Sequence, residues 1–249
     1  MSYFTVADQN PPLAVRIMGR FGAGPSYGGL AESNFVLGEV RSSTTPAGPL
    51  FRLQCSIGCG PAALVSPIGC HTALRQAILD ACQLALNAAR KLEATLRDSR
   101  TVDEFRRFFS HDPGQRLPWL GIRDSGLRFA RRFRAVAEAL RRSETLYRCD
   151  PCTGIREDPP PGAILDAHEI AIPLNEVVLC PTFWMLSPPL QGGVILHEMF
   201  HLRFDPCFRH EAACETKRTS AYCYEGFALS IAGHSPERLV IDRCAALKK

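Results

Sequence analysis

Two histidines and a glutamate stand at a spacing that can do chemistry: His197, Glu198 and His201, in the run His197-Glu198-Met199-Phe200-His201. Residues four apart on a helix lie one turn above each other, so both imidazoles can offer a nitrogen to a single metal ion. Glu198, beside the first of them, faces the side where a water on that ion would sit and can take its proton. Zinc brings the pKa of such a water towards 7 and polarises a carbonyl oxygen, so a carboxylate is a sufficient base for attack on a peptide carbonyl. The spacing therefore predicts metal-assisted amide hydrolysis with one Zn2+ per chain and Glu198 as the catalytic base. Val194, Ile195, Leu196, Met199, Phe200 and Leu202 surround the motif. That apolar texture suits a helix buried at an active site better than one facing solvent.

A catalytic zinc takes three protein ligands, and the third is open to several readings. The metzincin extension needs Gly and His at positions held here by Phe204 and Cys207, which excludes it. Glutamate-liganded zincins draw a Glu from the following helix, and Glu225 in Tyr224-Glu225-Gly226-Phe227-Ala228 fits that arrangement. Asp205 and His210 lie in the intervening stretch. Carboxylate oxygen and imidazole nitrogen both bind zinc at about 2.0–2.2 Å, so all three are competent.

The elements that must position these residues can be read from periodicity. Residues 1–66 are rich in Gly, Pro and Ser, and the apolar stretches 13–18, 34–40 and 50–53 read as short strands between turns. From 71 to 97, Leu74, Ile78, Ala81, Ala85, Ala89, Leu92 and Leu96 recur at three- and four-residue steps and predict a long helix. Shorter helices follow at 102–109 and 125–147. In the latter, Phe129, Phe133, Val136, Ala137 and Leu140 share a face, while Arg128, Arg131, Arg132, Arg134, Arg141 and Arg142 read as a solvated one. The run 168–180 predicts two short strands joined around 173–176. A helix over 191–202 carries the motif after Pro188-Pro189, and a last long helix spans 219–232 before Gly233. The organisation expected is a strand- and loop-rich segment, 1–66, of open role, and a catalytic domain, 67–249.

With 249 residues, 46% of them apolar, the chain can bury a full core. A net charge of +4 is too mild to imply nucleic acid. No stretch reaches the roughly 18 apolar residues of a membrane helix, and residues 1–12 lack the pattern of a secretory signal. Eleven cysteines nevertheless suggest an oxidising destination, metal sites or both, so a place outside the cell is expected, reached by a route not written at this N-terminus. Cys149 and Cys152 have the spacing of half a zinc knuckle or a redox pair, but no second pair completes a knuckle.

Taken together, Cys70 leading into the long helix, the aromatic run 105–109, the Arg-bearing helix, the Cys149 and Cys152 pair, Leu179-Cys180-Pro181-Thr182-Phe183-Trp184, the motif helix and the segment 221–227 resemble the aspzincin metallopeptidases, the deuterolysin and peptidyl-lysine metalloendopeptidase group. The resemblance covers about 70–233. It implies an α+β fold, a mainly helical zincin with a small β-hairpin or sheet beside the cleft, that cleaves protein or peptide substrates internally. It also implies disulfides Cys70–Cys149 and Cys152–Cys180. The family's Gly-Thr-x-Asp segment, whose Asp is the third ligand, is absent; an ungapped count puts His210 at that position, and a short deletion would bring Asp205 there. Lysine-specific members receive the substrate's lysine on an Asp and a Glu; here Tyr222 stands at the Asp and Glu225 at the Glu, which puts a lysine preference in doubt. Tyr222 or Tyr224 can instead serve as a hydrogen-bond donor to the oxyanion, or as a packed core residue. An alternative on the same fold is a zinc- or protein-binding module without turnover, against which the intact Glu198 argues.

Overall fold

The computed structural model describes residues 14–15, 40–41, 51–55, 67–94, 98–115, 125–142, 145–149, 162–164, 176–204 and 215–247. It is mainly helical with a small sheet. The strands are β1 (Ala14–Val15), β2 (Val40–Arg41), β3 (Phe51–Cys55), β4 (Thr145–Cys149), β5 (Gly162–Ile164) and β6 (Glu176–Leu179). The helices are α1 (Pro67–Ala94), α2 (Ser99–Phe109), α3 (Ser125–Arg142), α4 (Pro188–Arg203), α5 (Ala221–Ile231) and α6 (Arg238–Ala246).

Two compact units divide the chain: Met1–Thr72 with Ser143–Met185, and Ala73–Arg142 with Leu186–Lys249. This is not a cut at residue 66. In the first unit β3 pairs in parallel with β4, Phe51 opposite Thr145, and β4 in parallel with β6, while β5 runs antiparallel to β6. All four residues of β6 are buried, as expected for a strand covered on both faces, whereas β4 alternates between buried and half-buried positions. Phe51 meets Tyr147 edge-on and stacks on His71 at 4.9 Å between ring centres. β1 and β2 form a separate antiparallel pair.

In the second unit Leu74, Ile78, Ala81, Ala85, Ala88 and Ala89 bury one side of α1, and Phe129, Phe133, Val136, Ala137 and Leu140 that of α3. Phe105, Phe109, Phe129, Phe133, Phe200, Tyr224 and Phe227 form a fully buried aromatic cluster contributed by α2, α3, α4 and α5. Edge-to-face pairs such as Phe105 with Phe227, 5.8 Å apart, add about 0.5–1.5 kcal/mol each beyond burial.

Several expectations need correction. The helix read over 125–147 ends at Arg142, and Thr145–Cys149 is strand; Thr145 and Tyr147 are β-formers whose alternate burial in the sheet prevails over the helical period. The antiparallel partner of β6 is Gly162–Ile164, Glu176 belongs to β6 rather than to a turn, and residues 168–175 lie outside those described. A further helix, α6, follows the one taken as last. Cys70 carries a buried thiol, whose pKa burial raises, so the Cys70–Cys149 bridge is not formed; Cys149 and Cys180 are each bonded in another disulfide, and Cys152 lies outside the described residues. A disulfide sulfur is no knuckle ligand either. A bridge the sequence reading missed, Cys223–Cys244, ties α5 to α6. Closing that 21-residue separation contributes about 3 kcal/mol in the chain-entropy picture. Among the described residues, no helix is long and apolar enough to cross a membrane.

Candidate metal centre

The motif sits on α4, in the second unit, and all of Gln191 to Phe200 is buried. Pro188 and Pro189 open the helix where backbone N–H groups have no partner within it, so they cost no hydrogen bond. Glycines then let the neighbouring helices approach. A Cβ on Gly192 would lie 2.8 Å from Asp80 Cβ and 3.2 Å from the backbone nitrogen of Ala81, on α1. A Cβ on Gly193 would lie 2.9 Å from Leu229 Cδ1 and 3.1 Å from Glu225 Oε1, on α5. On α5 itself, a Cβ on Gly226 would fall 2.3 Å from a ring carbon of Phe108, on α2. These positioning residues escaped the sequence reading, although a Gly pair inside a helix, at about 1 kcal/mol each, is a signal of close packing.

The imidazoles of His197 and His201 turn their Nε2 atoms towards each other at 3.1 Å, with ring centres 4.8 Å apart. Two nitrogens held by a tetrahedral zinc at about 2.0–2.1 Å each are about 3.3 Å apart, so the pair fits that ion closely. On the other edge of the His197 ring, Nδ1 lies 3.0 Å from Glu225 Oε2, both side chains being buried. A carboxylate accepts, so Nδ1 carries the hydrogen and Nε2 presents a bare lone pair, the tautomer a metal ligand requires. His201 Nε2 meets that lone pair either by donating its own hydrogen, in the Nε2–H tautomer, or by sharing a metal ion with it.

Glu225 therefore stands at the Nδ1 edge of His197, away from the Nε2 pair, where it orients the ring. The other two candidates for the third ligand, Asp205 and His210, lie outside the described residues. Among the described residues no group of three or more His, Cys, Asp or Glu side chains gathers as a metal cluster.

Glu198 is buried, and its Oε2 has no hydrogen-bond partner among the described residues. Burial pushes its pKa up to about 8, and the charge of Glu225 adds to the shift. A cation at the histidine pair opposes both effects. Tyr222 sets its ring edge-on against His197 at 4.5 Å, and burial raises its hydroxyl pKa to about 12, so it stays a protonated donor. Tyr224 goes elsewhere. Its hydroxyl donates to the Arg218 carbonyl at 3.1 Å and accepts from Arg132 Nη1 at 2.6 Å, and its ring stacks within the aromatic cluster. It has the surroundings of a core tyrosine.

Arg132 is not part of a solvated face. It is half-buried, its Nη1 also donates to the Arg218 carbonyl at 2.7 Å, and its guanidinium lies over the rings of Phe129, Phe204 and Tyr224. Arg131 and Arg134 on the same helix are exposed as expected, Arg134 pairing with Glu93 on α1.

The chain matches no model of a known protein family, and no curated protein matches its sequence.

Proposed function

We propose that this protein is a zinc-dependent endopeptidase with a zincin-like catalytic unit resembling the aspzincins, acting on protein or peptide substrates. The observation that carries the reading is the relay Glu225 Oε2, His197 Nδ1, His197 Nε2, His201 Nε2, in which a buried carboxylate fixes the ligand tautomer of one histidine and points its Nε2 at that of the other. Zinc bound there supplies Lewis acidity, polarising the substrate carbonyl and making water a usable nucleophile near neutral pH.

The chain's own residues do the rest. Glu198 takes a proton from the attacking water as the oxygen adds to the peptide carbonyl carbon. It returns that proton to the leaving nitrogen as the C–N bond breaks, so no proton is lost. Glu198 is buried and its Oε2 has no hydrogen-bond partner among the described residues, which suits a group that must both accept and give. In this reading Tyr222, whose ring lies beside that of His197 and which is protonated at neutral pH, is the donor to the developing oxyanion. Asp205 or His210 completes the ligand set. The disulfides at Cys149, Cys180 and between Cys223 and Cys244 support work in an oxidising compartment outside the cell.

The test measures bound zinc and cleavage of unfolded casein, with and without chelator, beside Glu198→Gln. We expect one zinc per chain, activity abolished by chelator, and a variant that keeps its zinc but loses at least 100-fold in rate, on the order of what a general base contributes. A protein that binds no zinc refutes the reading. Stoichiometric zinc with equal turnover in Glu198→Gln removes Glu198 as the base.

A further inference from the structure

We propose that Arg128, Arg132 and Arg218 form a binding site for a doubly charged tetrahedral oxyanion of the phosphate or sulfate kind. The site lies where α3 meets the turn leading into α5, and it does not depend on the zinc reading.

Arg128 and Arg132 stand four apart on α3, one turn above each other, and both are half-buried. Arg132 is tied to the turn that holds the third arginine. Its Nη1 donates to the Arg218 carbonyl at 2.7 Å and to the Tyr224 hydroxyl at 2.6 Å, and that hydroxyl donates to the same carbonyl. Its guanidinium carbon lies 5.8 Å from the ring centre of Phe129 and 5.9 Å from that of Tyr224. In the turn itself the Arg218 N–H donates to Thr216 Oγ1 at 3.3 Å, and the Thr216 N–H to Thr219 Oγ1 at 2.9 Å. One guanidinium and the backbone of another are therefore held in place before any ligand arrives. The charges also act on one another. Burial lowers the pKa of Arg128, the charge of Arg132 adds to the shift, Tyr224 opposes it, and the charge of Arg218 adds again.

Gathering like charges away from water is costly, and an opposite charge removes the cost. Elsewhere the chain supplies that charge itself. Arg106 pairs with Asp112, Arg134 with Glu93 and Arg142 with Glu138, although these arginines are exposed and gain little by it. Arg128 and Arg218 are half-buried, which makes a counter-charge worth more, yet neither pairs with a carboxylate among the described residues. Arg218 Nε is, besides, a buried donor with no hydrogen-bond partner there. Such a donor is expensive to leave unmet, so the missing acceptor comes from a ligand. Two uncompensated charges call for a dianion, where a single carboxylate would balance only one. Several oxygens on one centre can also accept from separate guanidinium forks, the pairing at which arginine surpasses lysine.

The test titrates the full chain by calorimetry with sodium sulfate and, separately, sodium phosphate at slightly alkaline pH, with chloride holding the ionic strength constant so that screening stays equal. We expect one saturable site per chain for either anion and a melting temperature that rises with anion concentration. Affinity should be the same before and after chelator treatment, and acetate should bind far more weakly than sulfate. Arg128→Met breaks no hydrogen bond or ion pair among the described residues. It should weaken both anions about 10- to 100-fold, the worth of a charge-assisted hydrogen bond, and flatten the rise in melting temperature. Arg218→Met should act in the same direction, while Arg131→Met, an exposed neighbour on α3, should match the parent. A parent protein that binds neither dianion saturably overturns the proposal. So do folded Arg128→Met and Arg218→Met proteins that bind both as the parent does, and so does acetate bound as tightly as sulfate. Zinc content is measured separately and decides only the zinc reading.

Discussion

Tyr222, Tyr224 and Glu225 lie within four residues, yet α5 sends them to different surroundings: two to the face of His197, one into the aromatic cluster. At about 100° per residue, positions 222 and 225 share a helix face and 224 does not. That arithmetic was available from the sequence, but the phase of α5 against α4 was not. A Glu on the following helix fits a ligand or an orienting group equally well until its distance to Nδ1 or Nε2 is known. The geometry makes a prediction for this residue. Glu225→Ala leaves the Nδ1 hydrogen of His197 without its carboxylate and frees the ring to turn. Zinc affinity is expected to fall about 10- to 100-fold, with Glu225→Gln intermediate because its amide oxygen still accepts, though without charge. Titration against a competing chelator measures this. A Glu225→Ala protein that binds zinc as tightly as the parent would show that the bond to His197 plays no part in holding the metal. A loss far beyond 100-fold with a changed cobalt spectrum would instead mark Glu225 as a direct ligand.

At the scale of elements, the long helices were legible because burial on one side imposes a 3.6-residue period that survives in composition, as in α1 and α3. What failed was local pattern set by partners distant in sequence. Thr145–Cys149 continues an apolar helical rhythm and becomes strand because β3 and β6 flank it. α6 is short and buries only Val240 and Cys244, the latter through its bridge to Cys223, a contact no period reveals. The glycines carry the same lesson. Gly226 looks like a flaw in an apolar helix, yet it is the point where α5 meets the Phe108 ring of α2. Gly226→Ala should therefore destabilise the protein by about 1–3 kcal/mol, since overpacking against a buried ring outweighs a gain in helix propensity of at most about 1 kcal/mol. Urea unfolding of the two proteins decides it. A more stable alanine variant would mean that Phe108 moves aside freely and that the close approach is not required.

For the molecule as a whole, pH offers a test independent of metal and substrate, because one buried titrating group stands apart from the histidine pair. His111 follows the left-handed Ser110 that ends α2, its ring set against Phe105 and Phe129. Its Nδ1 meets the Phe109 carbonyl at 2.7 Å; a carbonyl only accepts, so this nitrogen holds the hydrogen, and Nε2 has no hydrogen-bond partner among the described residues. Protonation would place a charge on that buried atom. Burial accordingly lowers the pKa of His111 below its ordinary 6.5; the bond to Phe109 works against the shift, the charge of Arg218 adds to it, and Asp112 opposes it. The sign follows from proton counting. Between the folded pKa and 6.5 the unfolded chain binds more protons than the native one, so stability rises with pH across that interval. The contribution is complete above 6.5 and is lost progressively as pH falls. His111→Asn keeps a donor for the Phe109 carbonyl but cannot titrate. Its stability, measured by urea unfolding in chelator from pH 8 down to pH 5, should fall less steeply below about pH 6.5 than the parent's, whatever constant offset separates them. The histidines of the metal centre titrate in both proteins and cancel from the difference. Parallel curves would mean that His111 takes up its proton as readily folded as unfolded, and that the α2 terminus opens to water on acidification.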